Sequence, residues 1–69
     1  MDERQRIGKR IAEVRKAKGL SQAKLAGLTG LAPGHIARVE LGKHSAGIDL
    51  LTRICEPLGL RIELIEKEQ

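Results

Sequence analysis

Sixty-nine residues and 7.6 kDa leave room for one domain, and a chain this short buries only about 60% of the surface its unfolded form exposes. Its bulky apolar residues are all aliphatic, ten Leu, seven Ile and two Val with no Phe, Trp or Tyr. They suffice for a core and argue against wholesale disorder, while the missing aromatic rings speak against modules that stack single-stranded bases. The formal charge of +4 is unevenly laid: residues 1–45 hold ten basic and four acidic side chains, net +6, and residues 46–69 three basic and five acidic, net −2, so one end attracts a polyanion and the other does not. The single cysteine, Cys55, and two histidines nine residues apart offer neither a disulfide nor a metal site. No apolar run approaches the roughly 18 residues a membrane span needs, and the N-terminus is too charged for a secretory signal. The expectation is a cytoplasmic, nucleoid-associated protein without metal or cofactor and with no membrane contact. Catalysis is not expected, since no Ser/His/Asp set, glycine-rich phosphate loop or carboxylate pair occurs.

Ile7, Ile11 and Val14, with Ala17 close to the same stripe, predict a helix over residues 4–18, its other positions filled by Arg4, Arg6, Lys9, Arg10, Lys16 and Lys18. Gly19 stops it after a last turn rich in Lys and Arg. Ser21 is a suitable N-cap for a second helix over residues 22–28, with Leu25 and Leu28 facing inward beside Ala26, and Gly30 ends it. Pro33 suits the first turn of a third helix, about 32–41, with Ile36 and Val39 on one face. Residues 42–47 read as a loop. A fourth helix from Ile48 carries Leu51, Ile54, Cys55 and Leu58 inward to a stop at Gly59, while Pro57 removes a backbone donor, so its last turn kinks or stops early.

After Gly59 the period falls from 3.6 to 2, with Leu60, Ile62 and Leu64 alternating with Arg61, Glu63 and Ile65, which predicts a strand. A lone strand leaves its backbone unpaired, so a second copy is expected to supply the partner. A two-fold axis through Ile62 matches every cross-strand pair, setting Leu60 against Leu64 and Arg61 against Glu63. The expected organisation is a domain over 1–59 followed by a dimerisation strand and tail over 60–69.

Two short helices joined by a turn at Gly30 are the layout of a helix-turn-helix. The run Leu20-Ser21-Gln22-Ala23-Lys24-Leu25-Ala26, then Gly30, then Ile36-Ala37-Arg38-Val39-Glu40-Leu41-Gly42-Lys43 resembles the phage-repressor and Cro type of helix-turn-helix, the XRE family, over residues 7–59. The resemblance implies an all-α, lambda-repressor-like domain of four to five helices, completed by the short strand pairing across a homodimer on a pseudo-palindromic double-stranded DNA operator. It assigns Ser21 and Gln22 to the DNA backbone, where a helix N-terminus offers free N–H groups, and Lys43 with His44 to the next phosphates. Arg15 and Glu40 fall where the family forms a buried structural ion pair. Base readout falls on Ala32, Pro33, Gly34, His35 and Arg38. Pro33 and Gly34 offer no side-chain donor or acceptor, so Arg38, able to grip guanine bidentately, is the chief expected base contact and His35 the second, with a thymine methyl against Ala32 or Pro33 and DNA shape supplying further selectivity.

Plainer readings stand beside these. Any one Lys or Arg of the first helix is solvated surface, Cys55 is a small core residue, and His44 is idle. The ending Leu58-Gly59-Leu60-Arg61-Ile62-Glu63-Leu64-Ile65 looks like that of HipB-type antitoxins, which repress their own operon and bind a HipA-like Ser/Thr kinase toxin. The alternatives are a stand-alone phage-type repressor or restriction-modification controller, and an interaction module that has lost DNA binding.

Overall fold

The computed structural model describes residues 1–68 and contains four α-helices and one 3₁₀ turn. Helix α1 spans Glu3–Ala17 and starts with a reciprocal cap: the Gln5 N–H donates to Asp2 Oδ1 at 2.8 Å and the Asp2 N–H to Gln5 Oε1 at 3.0 Å. This satisfies two otherwise orphaned donors. Helix α2, Gln22–Thr29, begins with Ser21 Oγ accepting from the Lys24 N–H at 3.0 Å and ends at Gly30, whose φ of +73° only glycine adopts cheaply. Helix α3, Pro33–Glu40, places Pro33 in its first turn. Helix α4 spans Ile48–Cys55.

Helix α4 does not continue to residue 58. Pro57 has no N–H for the Arg53 carbonyl, so the chain tightens into a 3₁₀ turn over Glu56–Leu58, closed by the Gly59 N–H donating to the Glu56 carbonyl at 3.1 Å.

Ile11, Leu25, Ala26, Ile36, Val39, Ile54 and Leu58 form one buried cluster drawn from every helix and the 3₁₀ turn. Helix α1 crosses the C-terminal end of α3 at Gly8, where a Cβ would run into the Val39 carbonyl and stand 2.5 Å from the Glu40 carbonyl oxygen. Leu28, expected inside, is exposed; Thr29 is buried in its stead, its hydroxyl donating to the Leu25 and Ala26 carbonyls at 3.0 and 3.1 Å. On so short a helix the buried arc is set by the direction of α3 and α4 rather than by which residue is more apolar.

The expected C-terminal strand is not formed. Residues 60–68 carry no regular secondary structure, because a strand exists only in register with a second strand and the described residues contain none. Arg61 and Glu63, expected to pair between copies, instead pair within the chain, Nη2 to Oε1 at 2.8 Å. Leu60 packs against the core cluster, while Leu64 and Ile65 stand 100% and 82% exposed, so the alternating apolar face is not buried as a unit. The segment bounds a groove of about 200 Å³ whose floor includes Ile7, Ile11, Leu51 and Cys55. Gln69, the last residue of the expected tail, lies outside the described residues. No helix among them is long and apolar enough to cross a membrane.

Candidate nucleic-acid interface

Glu40, the last residue of α3, and Arg15, near the end of α1, meet at the base of α2. Arg15 Nε and Nη2 donate to Glu40 Oε2 and Oε1 at 2.6 and 3.0 Å, and the two side chains are 8% and 5% exposed. Arg15 Nη1 donates to the Leu20 carbonyl at 2.8 Å, and Gln22 Nε2 to Glu40 Oε1 at 2.9 Å. The network therefore ties the end of α1, the chain entering α2 and the end of α3 into one unit. Burial pushes the Glu40 carboxyl up, but the hydrogen bonds from Arg15 and Gln22 outweigh it and hold the group below the usual carboxylate range. Its hydrogen bond to Glu40 raises the Arg15 guanidinium in turn, against the opposing effect of burial.

Gln22 thus does more than sequence reasoning gave it: one Nε2–H belongs to Glu40, and an amide nitrogen retains a second donor. Ser21 is exposed at the head of α2, where the first helical N–H groups have no intrahelical acceptor. Donors of this kind are suited to meet an anion.

Ala32, the N-cap of α3, and Pro33, Gly34 and Arg38 on the helix are exposed, and Lys43 is exposed just beyond it, its N–H donating to the Arg38 carbonyl at 2.9 Å. Arg38 and Lys43 are thereby held close to each other and to solvent. His35 is placed differently. It is half-buried, its ring edge-on to His44 with centroids 4.7 Å apart and planes at 88°, and its Nε2 is buried without a hydrogen-bond partner. His35 and His44 therefore pack the 42–47 loop onto α3 rather than joining the exposed set. Position 35 follows Gly34 on the inward side of the helix, one residue from the fully buried Ile36.

Three contributors escaped sequence reasoning. Leu41, 62% exposed, continues the stripe Gly34, Ala37, Arg38 at helical spacing, a signal present in the sequence but read only as the end of the helix. Gly8 follows the stripe of Ile11 and Arg15. Arg53, whose Nε donates to the Thr29 carbonyl at 2.8 Å, caps the C-terminus of α2 beside the turn, a tertiary contact with no local signal. Among the described residues no cluster of three or more His, Cys, Asp or Glu could hold a metal ion.

The Helix-turn-helix family profile matches residues 11–65. The HTH-type transcriptional regulator PuuR of Escherichia coli K12, and that of Shigella flexneri, are each 38% identical over 55 residues, 80% of this chain; the chain spans 30% of the length of these curated relatives. Among solved structures, the clp gene regulator ClgR of Corynebacterium glutamicum superposes with TM-scores of 0.79 and 0.78 in two crystal structures at 28% identity. The match covers 81% of this chain and 72% and 60% of those chains. The family profile over residues 11–65 and the 38% identity to PuuR agree with the sequence motif and the helical order: the chain belongs to the XRE/Cro-type helix-turn-helix family.

Proposed function

We propose that this chain is the DNA-binding part of a transcriptional regulator, laying α3 in the major groove of double-stranded DNA. The observation that carries the reading is the junction at which Gln22, at the head of α2, bonds Glu40 at the end of α3 at 2.9 Å, with Ser21, Arg38 and Lys43 exposed and Lys43 tied by its N–H to the Arg38 carbonyl. The relatives support it, since PuuR and ClgR are named as regulators. Phosphates would meet Ser21, the free Gln22 donor and Lys43; a guanine would meet Arg38. Selection from random duplexes followed by binding measurements across a salt series tests it. A single enriched motif, with affinity falling linearly on a log–log salt plot, is expected; no retention of DNA at low salt overturns it in favour of an interaction module.

The regulator acts as a homodimer on a pseudo-palindrome whose half-site centres lie about one helical turn apart. Two copies would join through residues 60–65, where Ile62, Leu64 and Ile65 are exposed, each edge satisfying the other's backbone. A narrower reading makes the chain an antitoxin that binds a Ser/Thr kinase toxin. It rests on the ending 58–65 alone, and recovery of a kinase by pull-down from the native host distinguishes it from a stand-alone repressor or a restriction-modification controller.

A further inference from the structure

We propose that the outer stripe of α3 reads pyrimidine C5-methyl groups in the major groove, with Leu41, Ala37, Gly34 and the Ala32–Pro33 entry facing the methyls and Arg38 alone addressing a base edge. The proposal deepens the DNA-binding reading and rests on it.

Gly34, Ala37, Arg38 and Leu41 recur at the three- and four-residue spacing of one helix face. Gly34, Arg38 and Leu41 are exposed and Ala37 is half-buried, while Ile36 and Val39 face the core. With His35 packed on His44, Arg38 is the only side chain on the stripe that can hydrogen-bond. The rest is aliphatic or bare backbone. Such a surface differs from that of α1. The exposed positions of α1 between residues 3 and 16 are Glu3, Arg4, Gln5, Arg6, Lys9, Arg10, Glu13 and Lys16, all polar.

An apolar strip beside Arg38 and Lys43 has electrostatics suited to DNA and a chemistry suited to the one apolar group the major groove displays, the C5-methyl of thymine or of 5-methylcytosine. Gly34 fits the same purpose. Its φ is not in the left-handed region and a Cβ there would meet nothing within 4 Å, so neither conformation nor internal packing requires glycine; the missing side chain leaves room for close approach from outside. Residues 34 to 41 span about 10 Å along a helix axis, the rise of about three base-pair steps. The methyls therefore lie within three or four base pairs of the guanine held by Arg38.

The test starts from the site that the protein selects from random duplexes, with each thymine of a half-site replaced in turn by deoxyuridine, which removes only the methyl. Loss of roughly three- to fivefold in affinity is expected at one to three positions, the value of one methyl group taken out of water. Leu41→Ala should lower affinity for the thymine duplex while abolishing the difference between thymine and deoxyuridine at its own position; an unchanged Tm shows that the exposed substitution leaves the fold intact. Selection repeated on duplexes in which every cytosine is 5-methylcytosine separates the two sources of the methyl: an unchanged thymine-bearing motif assigns it to thymine, a new cytosine-bearing motif to 5-methylcytosine. Equal affinities for thymine and deoxyuridine at every position overturn the proposal while leaving DNA binding standing. Failure to retain any duplex overturns both.

Discussion

At the scale of single residues, one buried charge pair decides whether the domain stands. Glu40→Ala leaves the Arg15 guanidinium 8% exposed with no anion, and breaking a buried pair from one side costs about 3 to 5 kcal/mol. The whole domain is worth about 7 kcal/mol at ~0.1 per residue, so denaturant titration should find most of the stability gone. The paired replacement Arg15→Met with Glu40→Leu should recover much of the loss, because no charge remains to be desolvated. The same junction sets an acid limit. Glu40 in the folded chain titrates below its unfolded value, so between those two values the unfolded chain binds more protons and stability rises with pH. Its contribution is complete above the usual carboxylate range and lost as pH falls through the lower, folded value. Glu40→Gln should flatten the stability profile in that acid window, and a slope equal to that of the parent would remove Glu40 as its source. Arg38 and Lys43, both exposed, carry no such weight in folding, and their effects divide at the DNA. Arg38→Ala should cost about 1 to 3 kcal/mol on the selected site with little change on random duplex, whereas Lys43→Ala should weaken both alike and lower the salt slope by about one.

Two helical glycines separate what an element needs for packing from what it leaves open. Gly8 lets the backbones of α1 and α3 approach, and a Cβ there would meet the Val39 and Glu40 carbonyls; Gly8→Ala should destabilise by about 1 to 3 kcal/mol, the usual cost of forcing extra volume into a packed contact. Gly34 meets nothing, and alanine in a helix is favoured over glycine by roughly 0.5 to 1 kcal/mol, so Gly34→Ala should raise the melting temperature. Thermal melts of the two variants should therefore move in opposite directions, and a fall for Gly34→Ala would show that packing does require glycine there. Elements also govern the turn itself: Arg53 of α4 holds the Thr29 carbonyl at the end of α2, so the angle between α2 and α3 depends on a helix outside the motif.

For the molecule as a whole, the charge division of the sequence acquires a geometry. The basic first 45 residues build the surface proposed for DNA, and the acidic remainder carries α4 and the exposed Leu64 and Ile65. If that segment joins two copies, Ile62→Asp sets like charges together at the two-fold axis and should shift the protein to monomer in sedimentation at micromolar concentration. Affinity for the selected site should fall with it, since coupled half-sites bind far more tightly than single ones. An Ile62→Asp protein that sediments as a dimer would refute the strand-paired arrangement.

The sequence by itself determined the four helices, the caps at Ser21 and Gly30 and the first-turn place of Pro33, because each rests on local periodicity or backbone preference, while the pairing of Arg15 with Glu40, 25 residues apart, was implied by the family resemblance. It did not determine which way a marginal residue turns. Leu28 and Thr29 exchange places, His35 folds against His44, Gln22 reaches Glu40 and Arg53 caps α2, since each of these depends on a neighbour brought from elsewhere in the chain by the packing of helices. The alternation over 60–65 illustrates the limit from the other side: its pattern is that of a strand, yet a strand is a property of two segments, and a single chain with no second segment in register leaves it without one.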